Sequence, residues 1–294
     1  TQNAFTSSQE RTKLDLIDDL SLLVKLLIAF FERVEPDAWF KRRRPERTGD
    51  WTLHETVAHL VSAAEFYCSA LQHTLRNEPV LTSAFQQRQD LPAYNQQAIL
   101  QRKDLQPSQL LTALEEALSH TCALARQITP EQLQWQVAVP VFNRQPTILE
   151  VLEAQATHPG MVHAAQIAAP AHLPPLWHEF DEGLLNRMLT RFFHLMALVY
   201  WPERGGKISA TLQFVVAGPA GGTWHVDISP TGCQADEGAS AERRITTIRA
   251  ASADALCQIF TQEMGLGHAL LTRKMTVKGN LILASRLLFL FSPT

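Results

Sequence analysis

The chain has 294 residues, 46% of them hydrophobic and 19% charged, with a formal net charge of -3. That length exceeds one small core, so two domains are expected, and the acidic balance offers no bulk attraction to nucleic acid. No apolar run is long enough to span a membrane, the polar N-terminus lacks a signal-peptide core, and Cys68, Cys122, Cys233 and Cys257 form no CxxC pair, so they read as reduced core thiols of a cytoplasmic protein.

Leu14, Ile17, Leu20, Val24, Leu27, Ile28 and Phe31 recur at helical spacing and predict a first helix over about 8–34, ended at Glu35-Pro36. The basic run Lys41-Arg42-Arg43-Arg44-Pro45 has no interleaved aromatic residues and reads as a solvated loop. Thr52 and Glu55 form a capping box for a second helix to about residue 76, with His59 two turns in. His54, five residues before His59, reads as a surface residue. A third helix is expected over about 108–128. Thr147 and Glu150 cap a fourth, 147–167, which carries His158 and His163 with Pro159 between them. Four amphipathic helices make a four-helix bundle, whose sites lie between facing helices.

Domain 1–168 then gives way to a Pro-rich linker, 169–178, flanked by His172 and His178, both read as surface residues. Beyond it, in 179–294, a helix over about 179–200 precedes alternating strands. Leu212, Phe214 and Val216 share one face, and Trp224, Val226 and Ile228 alternate after the turn at Gly218–Gly222. Shorter strands are expected at 232–236, 244–249 and around Met275, with Ser252 capping a helix between the last two. A very apolar helix over 281–291 is expected to be buried on most sides. This half reads as α+β, a mostly antiparallel sheet with helices on one face.

Imidazole is the commonest neutral metal ligand. Three of them, His59, His158 and His163, with coordination positions left open would make a catalytic site. The other reading is that they are ordinary histidines on amphipathic helices.

The first half, roughly 8–168, resembles the DinB-like family, in its branch similar to mycothiol-dependent maleylpyruvate isomerases. The resemblance rests on the W-T-x-x-E-x-x-x-H-L signature at Trp51–Leu60, the Asp90 to Asn95 segment and the His-x-x-Gln-Ile ending at His163–Ile167. It implies a divalent metal, zinc or similar, with His59 as first ligand and His163 as last. The second half, roughly 180–294, resembles the sterol carrier protein family through 207–216, Gly221-Gly-x-Trp224, the helix start at Ser252, and Met275-Thr-Val-Lys-Gly279-Asn before an apolar helix. That likeness implies a tunnel for an apolar small molecule or lipid. The candidate lining is Phe214, Val216, Trp224, Val226, Leu256, Phe260, Met275, Leu283 and Leu287, residues that also suit an ordinary core.

The expected middle ligand, four residues before His163, is Pro159, which cannot bind metal. In a straight helix His158 would point about 140° away from His163. A one-residue π-bulge at the proline would bring it inward; an ordinary kink would leave it in solvent. Two functions follow. One is a metal-dependent transferase or isomerase using a low-molecular-weight thiol. The alternative is a non-catalytic lipid or acyl-chain binding protein whose bundle metal site has decayed.

Overall fold

The computed structural model describes residues 2–43, 50–80, 86–242 and 245–291. Arg44 and Pro45 of the basic run and Arg244 of an expected strand lie outside these residues. The chain divides into two compact units, Thr1–Val141 with Gln145–Leu176, and Phe142–Arg144 with Trp177–Thr294.

The first unit is a four-helix bundle. Helix α1 (Gln2–Glu32) buries Leu20, Leu23 and Leu27 completely, each contributing roughly 1.5–3 kcal/mol of transfer free energy. The chain then returns along itself: Arg43 N donates to Trp51 O at 3.0 Å and Leu53 N to Lys41 O at 3.1 Å. Helix α2 (Leu53–Leu75) opens on the expected reciprocal cap, Glu55 N to Thr52 Oγ1 at 3.1 Å and Thr52 N to Glu55 Oε2 at 2.7 Å. A short helix α3 (Leu91–Leu100) intervenes, unforeseen because only Ala98 and Ile99 of it are buried and it shows no apolar stripe. Helix α4 (Pro107–Gln127) and the segment opened by the Thr147–Glu150 cap complete the bundle. That last segment has three parts: α5 (Ile148–Thr157), a π-helix (His158–His163) and α6 (Ala164–Ala168).

In the second unit, α7 (Glu182–Val199), capped by Asp181, and a single turn α8 (Pro202–Gly205) precede the sheet. Strands β1 (Ala210–Val216), β2 (Gly222–Ser229), β3 (Gly232–Glu237), β4 (Ile245–Ala250) and β5 (Met275–Lys278) form one five-stranded sheet in the order β3-β2-β1-β4-β5. Among the described strands, only β1 and β4 pair in parallel. Helices α9 (Ala253–Phe260) and α10 (Leu266–Leu271) connect β4 to its antiparallel neighbour β5.

The expected buried helix over 281–291 is two short helices, α11 (Leu281–Ser285) and α12 (Leu287–Phe291). Leu281, Ile282 and Phe289 are 58%, 75% and 53% exposed, so the segment is not buried on most sides. The reason is local. Asn280 caps α11 through Leu283 N, and Arg286 at the break donates its guanidinium to Arg204 O at 2.9 Å. Leu283, Leu287 and Leu290 turn inward, while Leu281, Ile282 and Phe289 lie outside.

Candidate metal centre

Helix α2 presents His59, 8% exposed, on its inward face. The opposite wall depends on Pro159. Its ring has no N–H to continue the α-helical ladder, and the chain adopts a π-helix there, with Ala164 N bonding back five residues to Pro159 O. The wider turn puts two residues five apart on one side. His158 Nε2 and His163 Nε2 are 3.0 Å apart, and His59 Nε2 lies 3.5 Å from His158 Nε2. Gly160 lets this wide turn lie against α1, since a Cβ there would sit 2.7 Å from Leu23 Cδ1.

Electrostatics keep the cluster uncharged. Burial lowers all three imidazole pKa values, that of His158 to about 4 and those of His59 and His163 well below the ordinary value. The imidazole neighbours and the Arg43 guanidinium lower His59 and His163 further. Asn95 approaches His59 and opposes its shift, yet His59 Nδ1, although buried, has no partner at hydrogen-bond geometry among the described residues. His158 itself is half-buried. All three rings are therefore neutral near pH 7, with lone pairs available to a cation.

The donor set fits a divalent ion. Imidazole nitrogens bound to a tetrahedral zinc lie about 3.3 Å apart. The two separations above bracket that figure, and the three donor atoms all lie within 4.8 Å of one another.

Around the cluster stand residues to which the sequence reading gave no role. Arg43, read as part of a solvated loop, has a side chain only 14% exposed, paired to Asp50 Oδ1 at 2.5 Å. Its Cζ lies 5.1 Å from the Trp51 ring centroid, and Trp51 in turn packs 4.8 Å from the His59 ring. Gln166 Oε1 stands 2.8 Å from His163 Nδ1 and also accepts from Arg43. Helical spacing from His163 was a signal for Gln166; nothing in periodicity marks Arg43. His54 is buried, not exposed, because its Nε2 meets Leu105 O at 2.7 Å and its ring stacks on Phe40. Glu55 is spent on the helix cap.

Of the nine candidate lining residues in the second unit, Phe214, Val216, Trp224, Val226, Leu256, Met275, Leu283 and Leu287 are buried and Phe260 is half-buried. Phe214 pairs with Trp224 across β1 and β2, and Phe193 of α7 stacks 5.2 Å from Trp224. Trp224 Nε1 is satisfied by Thr190 Oγ1 at 2.9 Å.

Comparison with known proteins adds three findings. The model of the DinB superfamily matches residues 20–167, and that of the SCP-2 sterol transfer family matches residues 202–292. No curated protein matches the chain. The solved structure of mycothiol-dependent maleylpyruvate isomerase is similar at a TM-score of 0.53 and 13% identity, covering 92% of this chain and 94% of that one. A mutant of the same enzyme gives 0.55 and 12% over the same shares. At that identity the likeness is one of fold.

Proposed function

The chain belongs to the DinB superfamily, and from that premise we propose that its bundle is the divalent-metal centre, zinc or similar, of a thiol-linked transferase or isomerase, held by His59, His158 and His163. The observation that carries this reading is the convergence of three neutral imidazoles across the π turn. A bound divalent ion supplies Lewis acidity and lowers the pKa of a thiol beside it. The chain's own residues supply the surroundings. Trp51 packs against one side of the His59 ring. The Arg43 guanidinium acts on both His59 and His163, and its positive charge favours an anion such as a thiolate. The thiol is read as a separate small molecule, because burial raises the pKa of each of the chain's four thiols and leaves them protonated. Buried free thiols suit a cytoplasmic protein, and no described helix is long and apolar enough to cross a membrane.

Metal analysis of the purified protein tests the centre. One ion per chain is expected, lost in His59→Ala, His158→Ala and His163→Ala. Stoichiometric metal in His158→Ala would remove the third ligand, and no uptake by wild type after reconstitution would remove the centre. Turnover of maleylpyruvate with mycothiol, the pair named for the structural neighbours, then tests the reaction class.

The match to the SCP-2 sterol transfer family favours a second reading for residues 202–292. There an apolar small molecule or lipid binds against Phe214, Val216, Trp224, Val226, Leu256, Phe260, Met275, Leu283 and Leu287. If the bundle takes no metal, this alone is the function, and the protein is a non-catalytic carrier. A fluorescent fatty-acid probe should bind with saturation, and its failure to bind, together with that of a sterol probe, would end the carrier reading.

A further inference from the structure

Behind His163 runs a chain of polar contacts that reaches the loop before α2. Gln166 Oε1 accepts from His163 Nδ1 at 2.8 Å and from the Arg43 guanidinium. Arg43 pairs with Asp50 Oδ1 at 2.5 Å and packs on Trp51. The backbone bond from Arg43 N to Trp51 O, 3.0 Å, holds this arginine in register with the start of α2. Arg43 and Asp50 are 14% and 11% exposed in their side chains, so the pair is largely withdrawn from water.

The consequence is a choice of tautomer. A neutral imidazole has one proton, and the partner of one nitrogen decides the state of the other. Flipping the Gln166 amide would set its NH2 against the guanidinium, which has only donors. Arg43 therefore holds Oε1 toward His163, and an oxygen that only accepts requires the proton on Nδ1. The lone pair of His163 Nε2 is then turned toward the other two histidines. Without this arrangement a second state is open. His163 could carry its proton on Nε2 and donate to His158 Nε2, 3.0 Å away, closing two of the three lone pairs against each other.

We propose that Gln166, oriented by the Arg43–Asp50 pair, is a positioning residue that holds His163 in its Nδ1–H tautomer and so keeps the three-histidine cluster open to a cation. The cation-binding part rests on the metal-centre reading above; the tautomer part does not.

The test uses the full chain, metal-free, with 15N-labelled histidine, and long-range 1H–15N correlation at pH 7.5. In wild type, His163 should show a protonated Nδ1 and an unprotonated Nε2. Gln166→Leu should shift it toward the Nε2–H form, whereas Gln166→Glu, which still accepts, should retain the wild-type pattern. Arg43→Met, which leaves Gln166 in place but free to flip, gives a second route if the leucine variant does not fold. Titration with zinc alone should then show a 10- to 100-fold loss of affinity in Gln166→Leu and recovery in Gln166→Glu. An Nε2–H His163 in wild type, or an unchanged tautomer in both Gln166→Leu and Arg43→Met, would overturn the proposal. So would lost zinc affinity without a change of tautomer. The expected tautomer shift in a protein that takes no zinc would sustain the positioning role and sink the metal centre.

Discussion

Three imidazoles held neutral in one place tie the stability of the metal-free protein to pH. In the unfolded chain each takes up a proton near pH 6.5. In the folded protein burial lowers all three, His158 to about 4. Between those values the unfolded state binds more protons. The contribution is therefore whole above about pH 6.5 and is lost as the pH falls through the lowered values. Urea unfolding of the metal-free protein should give a midpoint that is flat above pH 7 and falls from pH 6.5 toward 4. His158→Asn should remove part of that slope, and a slope unchanged in the variant would show that His158 does not titrate as its burial requires. At this scale His59 and His163 were legible from the motifs that carry them, whereas His158 stands one residue off the expected spacing and only the π turn brings it to His163. Arg43 and His54 were not legible: each looks like a surface residue in its own segment, and contacts to Gln166 and to Leu105 O, distant in sequence, help to make them interior.

The element on which the site turns is the π-helix. Pro159 makes a regular α-helix costly there, and Gly160 leaves room for α1. Gly160→Val should destabilise the protein by roughly 1–3 kcal/mol through overpacking against Leu23, read from the urea midpoint; no loss would mean that Leu23 yields freely. Deleting Pro159 is the more informative change. It leaves His158 and His163 four apart, neighbours on one face of an ordinary α-helix, so metal uptake should survive within about tenfold. Complete loss of uptake in a folded deletion variant would show that the centre needs more of the π geometry than its spacing. The proline predicted that the helix breaks. Whether it kinks or widens is not written in the proline, and the structure shows the widened turn lying against Leu23 of α1.

For the whole molecule, the change from helical to alternating periodicity across the Pro-rich stretch marked the passage from bundle to sheet, and the matches to two family models lie on either side of it. We expect subtilisin to cut first within 169–178, where His172 and Pro174 are exposed, and to release fragments near 1–168 and 179–294. First cuts inside either fragment would count against those bounds. The end of the chain shows the limit of composition. An apolar run was expected to be enclosed, yet Ile282 and Phe289 are 75% and 53% exposed, and Arg286, which divides the run, is tied to Arg204 O.

Local chemistry in the sequence was enough to determined helix starts, strand alternation and the succession of a helical half by an α+β half, because caps and apolar periods act within a few residues. Thr52 with Glu55 and Thr147 with Glu150 close the bonds that their side chains announce. Tertiary structure alone decided which side chains meet. His59 and His163 are separated by about a hundred residues, Arg43 and Gln166 by still more, and their contact is set by how α1, α2 and the π turn pack. Packing is a property of many residues at once, so no local pattern encodes it.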